Sequence, residues 1–204
     1  MLEKVKTAVF VSGGGTNLQA ILDAVTRGEI KSAEIALVLS SREGVYALER
    51  AEKAGVKTAV SVKKGRGQEQ FENDIVAALE KEGIELIVLA GFMSILSGNF
   101  TKRYADRIIN VHPSLIPSFC GKGYYGLKVH EAALAYGVKV TGATVHFVNE
   151  IPDGGKIIMQ RAVEVEEGDT PETLQKRVME RAEWKILPAA LEKVAADILK
   201  ERKK

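Results

Sequence analysis

The sequence contains a single cysteine, Cys120, among its 204 residues, so no disulfide can form within the chain. A chain without internal disulfides is typical of a reducing compartment, and we therefore expect a cytoplasmic protein. The longest apolar stretches, such as residues 84–93, are too short to cross a bilayer, which takes about 20 apolar residues. The N-terminal residues also lack the apolar region and small-residue cleavage site of a signal peptide, so we expect none.

The chain also has little excess of charge of one sign. It carries 29 Lys and Arg residues against 27 Asp and Glu residues, which gives a formal net charge of +2. Such a balance does not favour a nucleic-acid or membrane surface as partner. The basic segment 200–204 is interpreted as a solvated helix end. Because 46% of the residues are apolar, the sequence supports one sizeable core and does not predict disorder.

The first half of the chain alternates short apolar runs with amphipathic stretches. Buried strands are predicted at 7–11, 33–39, 57–62 and 84–90, and helices between them at 16–28, 44–54 and 71–83. Nearly continuous apolar strands joined by helices are typical of a parallel sheet covered on both faces. We therefore predict a doubly wound, Rossmann-like α/β fold whose ligands gather at the carboxyl ends of the strands.

The second half has a different pattern. A strand at 107–111 runs into a long loop at 113–126 and a helix at 127–136, and two strands at 140–148 and 156–165 then form an antiparallel pair. Thr170 and Pro171 begin a long C-terminal helix, which we expect to break near Pro188. We predict a single domain over 1–204, with a mostly parallel sheet and an antiparallel C-terminal portion.

A glycine-rich segment, Ser12-Gly13-Gly14-Gly15-Thr16-Asn17, joins the first strand to the first helix. Glycines allow close backbone approach, and the N–H groups at a helix start attract anions, so this loop is a candidate phosphate site. The alternative is a tight turn without a ligand. The loop is not a dinucleotide motif, because Leu18 stands at the third glycine position, and no Gly-Lys-Ser/Thr of a P-loop follows.

The segment Asn-Val-His-Pro-Ser-Leu-Ile-Pro at 110–117 follows the end of a predicted strand. Residues two apart in an extended chain point to the same side, so Asn110 and His112 can face one pocket. Asparagine offers a neutral hydrogen-bond donor, and histidine exchanges a proton near neutral pH. The alternative is a strand-end histidine bound to a backbone carbonyl.

The remaining candidates depend on the tertiary structure. Asp153 lies in a Pro-Asp-Gly-Gly loop and is either a turn residue or, if folding brings it beside His112, the carboxylate partner of that histidine. His130 is interpreted as structural or exposed, and His146 as a core histidine with satisfied hydrogen bonds. The histidines and Cys120 have no metal-ligand spacing, so we expect no metal site and no activated thiol.

Four motifs occur in order along the chain: Ser-Gly-Gly-Gly-Thr-Asn-Leu-Gln-Ala at 12–20, Ala-Gly-Phe-Met-Ser-Ile-Leu at 90–96, the segment at 110–117, and His-Phe-Val with Asp-Gly-Gly within 146–155. Together they resemble the folate-dependent phosphoribosylglycinamide formyltransferase family of purine synthesis. The resemblance covers about residues 5–190. It implies formyl transfer from 10-formyltetrahydrofolate to the amine of 5-phosphoribosylglycinamide in IMP biosynthesis, without a metal.

The resemblance also implies roles for individual residues. The implied catalytic residues are Asn110, His112 and Asp153. The implied substrate-binding residues are Gly14, Gly15, Thr16, Asn17 and Glu183, of which Glu183 aligns only with a one-residue insertion. The implied folate-binding residues are Met93, Ser94, Ile95, Leu96, Asn110, Asn149 and Asp153. Residues 5–92 would then form the nucleotide-phosphate half and 93–190 the folate-binding and catalytic half.

The implied reaction is direct attack of the amine on the formyl carbon. Protonated His112 and the amide of Asn110 would donate to the tetrahedral oxyanion. Asp153 would hold His112 protonated and move the amine proton, through water, to the leaving folate nitrogen.

The chain departs from the family pattern where the folate tail would bind. Ser94 stands where some members have arginine, and Arg66 and Gln68 are both candidates for an arginine expected in the 63–68 loop.

Two other functions remain open. 10-Formyltetrahydrofolate hydrolase shares the triad, but it usually carries an added N-terminal domain, whereas here the motifs begin near residue 5. A non-catalytic module that binds phosphate ligands is the second. The sequence is compatible with a monomer or a homodimer.

Overall fold

A computed structural model describes residues 3–203 of the chain. One seven-stranded sheet runs through these residues, with the strand order β3-β2-β1-β4-β5-β6-β7. Met1, Leu2 and Lys204 belong to the terminal segments considered above and lie outside the described residues.

The first half has the regular alternation that its apolar pattern predicts. Its strands are β1 (Val5–Val11), β2 (Ala33–Ser40), β3 (Lys57–Val60) and β4 (Leu86–Leu89), and its helices are α1 (Thr16–Thr26), α2 (Tyr46–Lys53) and α3 (Gln68–Glu82). All pairings among these strands are parallel. The predicted parallel α/β sheet is therefore confirmed, with strand ends that differ from the prediction by a few residues.

The second half adds the predicted antiparallel portion. Its elements are α4 (Gly98–Arg103), β5 (Ile108–His112), α5 (Leu127–Tyr136), β6 (Val140–Phe147), β7 (Ile157–Glu164), α6 (Pro171–Val178) and α7 (Trp184–Glu201). Strand β5 is parallel to β4 and antiparallel to β6, and β6 is antiparallel to β7. The short α4 had no periodic signal in the sequence; Ser97 caps it by accepting from the Phe100 N–H.

The predicted break of the C-terminal helix near Pro188 is wrong. Helix α7 runs through Pro188, and the interruption is a π-helical turn at Met179–Glu183. Proline is tolerated near a helix start, where few N–H groups have partners. The hydrogen bond that Pro188 cannot donate would go to Trp184, the first residue of α7, where the π-helical turn already interrupts the regular ladder.

Both faces of the parallel strands are buried. On β1, Val9 and Val11 point into the apolar cluster that contains α1 and α7, whereas Ala8 and Phe10 point into the cluster that contains α3. This is the covering of two faces that near-continuous apolar strands require.

The strand order determines where the loops meet. Strand β1 lies between β2 and β4. From β1 the chain adds β2 and β3 on one side, and it then crosses back to add β4 and β5 on the other side. The carboxyl ends of β1, β4 and β5 are therefore neighbours, and the loops that follow them meet at one edge. In open α/β sheets this edge is where ligands bind.

Candidate active site

His112 is the last residue of β5 and is buried, with 4% of its surface exposed. Its Nε2 lies 2.9 Å from the carbonyl oxygen of Phe119, and its Nδ1 lies 3.5 Å from Oδ2 of Asp153. The sequence left two readings open for this histidine, a carbonyl-bonded strand end and a carboxylate pair, and the folded chain contains both contacts.

Asp153 reaches this cluster from the loop between β6 and β7. Its φ is 56°, in the left-handed region that non-glycine residues rarely adopt. The Gly121 N–H donates to Oδ2 at 2.8 Å, and Oδ1 lies 3.5 Å from Nε2 of His146. A strained backbone held by several contacts is a frequent property of functional loops.

His146 belongs to the same cluster, which the sequence did not indicate. It lies opposite Asn110 in the β5–β6 pairing, and its Nε2 is 3.2 Å from the side-chain nitrogen of Asn110. Its Nδ1 is 2.7 Å from the Phe147 carbonyl, so Nδ1 carries the proton and Nε2 accepts from Asn110 when the ring is neutral. The sequence offered one indication of this role: His146 lies in an apolar strand that leads into the loop of Asp153.

The pKa values of this cluster shift in a defined direction. Burial lowers the pKa of His112, and this outweighs Asp153 and the Phe119 carbonyl, which raise it. Burial raises the pKa of Asp153, but His146, His112 and the Gly121 N–H together bring it below its ordinary value. Asp153 is therefore ionised and His112 neutral at pH 7 in this geometry, in contrast to the protonated His112 expected above.

The glycine-rich loop leaves the start of α1 open. Gly15 is the N-cap residue with a left-handed φ of 73°, and within residues 3–203 no side chain caps the helix. A Cβ on Gly15 would lie 2.6 Å from that of Ala47, so only glycine fits between α1 and α2. In the part of the chain that the structure describes, the backbone N–H groups of Gly14, Gly15 and Thr16 have no acceptor, so they can bind an anion.

Asn17 and Glu183 meet beside this loop, although 166 residues separate them in sequence. The side-chain nitrogen of Asn17 donates to Oε2 of Glu183 at 2.7 Å. Glu183 is buried, and burial raises its pKa while Asn17 opposes the rise. Within residues 3–203, the side-chain oxygen of Asn17, Oδ1, is buried without a hydrogen-bond partner. The π-helical turn adds one residue before Trp184, in agreement with the insertion that the family resemblance required.

The segment Met93–Leu96 follows β4 and carries exposed apolar side chains. Its backbone is held where the Met93 N–H donates to Ser12 Oγ at 2.8 Å. Met93 is 48% and Ile95 75% exposed, whereas Leu96 packs against the α3 side of the core. Exposed apolar side chains next to polar groups are typical of a ligand cleft.

The 149–155 loop contacts α4, which begins two residues after Leu96. Glu150 forms an ion pair with Lys102 at 3.2 Å and lies against Gly98. Ile151 at its tip is 61% exposed, and Asn149 accepts from the Ile151 N–H at 2.9 Å. The predicted folate-binding residues therefore lie on the loops that follow β4 and β6 or, for Asn110, within β5.

Arg66 and Gln68, the two candidate residues for binding the folate tail, both contact other residues of the chain. Arg66 pairs with Asp74 at 2.5 Å, and Gln68 donates to the Ile95 carbonyl at 3.0 Å.

Burial and Asp153 raise the pKa of the Cys120 thiol, whereas an activated thiol has a lowered pKa.

His130 on α5 has no exposed surface, and among residues 3–203 neither ring nitrogen has a hydrogen-bond partner. Burial lowers its pKa to about 4.

Within residues 3–203, no helix is long and apolar enough to cross a membrane.

Known proteins similar to this chain share one family. The sequence profile of the formyl transferase family matches residues 5–191. Phosphoribosylglycinamide formyltransferase of Haemophilus influenzae is 41% identical over 91% of this chain and 85% of its own length. The trifunctional purine biosynthetic protein adenosine-3 of Gallus gallus is 49% identical over 95% of this chain, which spans only 19% of that relative.

Solved structures agree with these relatives. Phosphoribosylglycinamide formyltransferase from Brucella melitensis is 42% identical, with a TM-score of 0.86 over 95% of this chain and 97% of that one. Glycinamide ribonucleotide transformylase 1 from Symbiobacterium toebii is 39% identical, with a TM-score of 0.89 over 97% and 90% of the two chains. The chain therefore belongs to the formyl transferase family, and within it to the phosphoribosylglycinamide formyltransferases.

Proposed function

We propose that this chain transfers the formyl group of 10-formyltetrahydrofolate to the amine of 5-phosphoribosylglycinamide in de novo IMP biosynthesis. The observation that carries the proposal is the buried contact between ionised Asp153 and His112 at the end of β5. This pair lies at the strand edge that also holds the open helix start of α1 and the exposed apolar segment after β4. One edge thus offers an anion site, an apolar cleft and an acid–base pair.

The nucleotide substrate extends from α1 towards His112. Its phosphate binds the free N–H groups around Gly14, Gly15 and Thr16. Its ribose hydroxyls bind Glu183 and the unpartnered Oδ1 of Asn17, which needs a donor. This arrangement directs the amine to the end of β5.

The folate binds between the loops that follow β4 and β6. Met93, Ser94, Ile95 and Leu96 border the pteridine on one side, and the loop from Asn149 to Asp153 covers it on the other. The exposed side chains of Met93, Ile95 and Ile151 fit such a flat, largely apolar ligand.

The chemistry is acyl transfer by direct amine attack. As the amine nitrogen bonds to the formyl carbon, negative charge develops on the formyl oxygen, and Asn110 and a ring N–H of His112 donate to it. In the free chain the one N–H of a neutral His112 faces the Phe119 carbonyl, so donation to the formyl oxygen requires either that this hydrogen bond be exchanged or that the ring be protonated. One such donor stabilises the transition state by about 3 kcal/mol. Asp153 accepts the proton that the amine releases and returns it, through water, to the folate nitrogen that leaves.

We also propose that residues 5–92 and 93–190 act together as one cytoplasmic catalytic domain. The first part supplies the phosphate loop and the second the acid–base cluster. The Asn17–Glu183 hydrogen bond links the nucleotide contacts of both parts. The partners in this proposal are the two small-molecule substrates alone.

The test compares acceptors at a constant 10-formyltetrahydrofolate concentration. Formyl release is measured with 5-phosphoribosylglycinamide, with its N-acetylated form, and with no acceptor. Rapid formation of tetrahydrofolate only with the free amine supports the proposal. Equal turnover in water alone would identify a hydrolase, and folate and nucleotide binding without turnover would identify a binding module.

A further inference from the structure

Helix α2 packs against the glycine-rich loop and holds the loop by its carbonyl groups. The Ala47 N–H donates to the Gly13 carbonyl at 3.2 Å, and Nε of Arg50 donates to the Gly14 carbonyl at 2.8 Å. Two successive carbonyls of the loop therefore face α2. Neither of these two α2 residues is among the proposed substrate contacts.

The other side of the loop presents the backbone N–H groups. The peptide bonds of the loop are trans, and in a trans peptide the C=O and N–H groups point in opposite directions. Because the Gly13 and Gly14 carbonyls face α2, the N–H groups of Gly14 and Gly15 point away from it. The Gly15 carbonyl accepts from the Gln19 N–H within α1 at 2.9 Å, which directs the Thr16 N–H out of the helix start. Three successive N–H groups are thus open to an anion, and α2 sets the direction of two of them.

The guanidinium group of Arg50 is itself held in place by its neighbours. Its Nη1 donates to Oε1 of Gln19 at 2.8 Å, and its Cζ lies 4.8 Å from the centre of the Tyr46 ring. Over residues 3–203, it lies within ion-pair distance of no carboxylate. A planar group that contacts Gly14, Gln19 and Tyr46 has little freedom to turn, and no acid neutralises its charge.

The hydrogen bond from Arg50 affects the Gly14–Gly15 peptide in two ways. It orients the peptide plane, which glycine on both sides would otherwise allow to flip. It also polarises the peptide, because a donor at the carbonyl oxygen makes the N–H of the same peptide a stronger donor. A hydrogen bond from a charged group corresponds to roughly ten- to hundredfold in an equilibrium constant, so the orientation that exposes the Gly15 N–H is strongly preferred.

We propose that Arg50 is a positioning residue for the phosphate of the substrate: it orients the Gly14–Gly15 peptide so that the Gly15 N–H binds the phosphate. This inference rests on the proposed function and adds to it a residue that touches neither the nucleotide nor the folate. A lysine at this position would keep the charge but would lack the planar donor that contacts Gly14 and Gln19 together. Arg50 therefore acts through geometry, and charge alone does not replace it.

The test measures KM and kcat for 5-phosphoribosylglycinamide in Arg50→Ala and Arg50→Lys. Both variants should raise KM for the nucleotide by about tenfold or more. The phosphate is bound equally in the ground state and the transition state, so kcat and KM for the folate should stay unchanged. Arg27→Ala is the matched control. Arg27 lines the same groove beside α1 as Arg50, but it pairs with Glu29 at 2.7 Å instead of the loop, so KM should not change.

A second acceptor separates positioning from a general loss of structure. The dephosphorylated form of 5-phosphoribosylglycinamide leaves nothing for the Gly15 N–H to bind, so kcat/KM for it should be equal in the unmodified chain and in both Arg50 variants. An equal fall for both acceptors would mean that the substitution damages the fold, and it would overturn the inference. Urea unfolding checks that each variant folds. If Arg50→Ala does not fold, Arg50→Lys, which keeps most of the side-chain packing, carries the test.

Two further results reject the inference. They are an unchanged KM in Arg50→Ala and full recovery in Arg50→Lys, which would assign the role to charge alone. If no acceptor supports turnover, the proposed function fails, and calorimetric titration with ribose 5-phosphate still tests Arg50. Binding at least tenfold weaker in both Arg50 variants and unchanged in Arg27→Ala supports the inference, and any other result rejects it.

Discussion

The two halves of the sheet bury polar side chains in different ways. In the first half these are mainly hydroxyls bonded to near neighbours, such as Ser12 with Ser41 and Ser61 with the Phe71 carbonyl. The second half also buries hydroxyls, but it adds the ionisable side chains of His112, His130, His146 and Glu183, and the half-buried Asp153 contacts two of these histidines. Within residues 3–203, all three non-glycine residues with positive φ, Asp106, Phe119 and Asp153, lie in the second half.

This difference indicates that the two halves of the sheet have different roles. Self-satisfied hydroxyls need nothing from a ligand, so the parallel half acts as a rigid support that carries a phosphate loop. The antiparallel half holds groups whose protonation and backbone geometry depend on tertiary contacts, and it is there that the proposed chemistry takes place. Loss of a self-satisfied hydroxyl in the first half should therefore affect stability, whereas a change in the acid–base cluster of the second half should affect turnover.

The largest effect is expected for Asp153→Asn. The amide keeps the shape but cannot accept the amine proton, so kcat should fall by about 10²- to 10⁴-fold while nucleotide binding survives. Steady-state kinetics and nucleotide titration measure both quantities. The matched change in the first half is Ser61→Ala, which removes a buried hydroxyl and should cost about 1 kcal/mol of stability with kcat unchanged. Near-normal turnover of Asp153→Asn would remove Asp153 from the mechanism.

A smaller but still severe effect is expected for Gly155→Ala. A Cβ there would lie 1.7 Å from the Phe147 carbonyl oxygen, so the β6–β7 turn and the Asp153 loop must shift. We expect a loss of about 3 kcal/mol or more in the free energy of unfolding, measured with urea. Gly28→Ala is the comparison in the first half: its φ is 71° but its Cβ meets open space, so about 1 kcal/mol is expected. Equal losses for the two glycines would contradict the close approach as the cause.

His130→Leu tests the unpaired histidine of the second half by pH. The pKa of His130 is about 4 in the folded chain, below the ordinary 6.5, so the unfolded chain binds this proton more readily. Stability is therefore complete above about pH 6.5 and declines as the pH falls towards 4. Leucine lacks this proton, and urea unfolding at pH 7.5 and 5 should show a decline smaller by about 2 kcal/mol. The same decline in both proteins would mean that His130 is not buried as described.

The smallest effect is expected for deletion of Arg181 from the π-helical turn. A π-helical turn holds one more residue than an α-helical turn, so the deletion should convert it to an α-helix while α6 and α7 keep their packing. We expect a change within about 1 kcal/mol. Deletion of Lys193, an exposed residue within α7, rotates the following residues by about 100° and should be much more destabilising. If both deletions unfold the chain, the turn does not absorb the extra residue.

The parallel half was predictable because its apolar periodicity records burial directly. The same rule placed Asn110 and His112 on one side of β5, since a strand repeats every two residues. His146 was missed because its role depends on the register that sets it opposite Asn110, and register is a tertiary property. No local sequence pattern indicates the π-helical turn. Pro188 instead suggested a helix break at a position where the helix is continuous. The neutral state of His112 follows from burial, which the sequence alone does not quantify.

The exposed apolar tips of the cleft have a thermodynamic consequence. In the free chain, water covers Met93, Ile95 and Ile151, and a flat ligand between the two loops would displace it. Removal of apolar surface from water gives a negative heat-capacity change. Calorimetric titration of the folate at several temperatures should therefore yield a binding enthalpy that becomes steadily more exothermic on warming, while the affinity itself changes little.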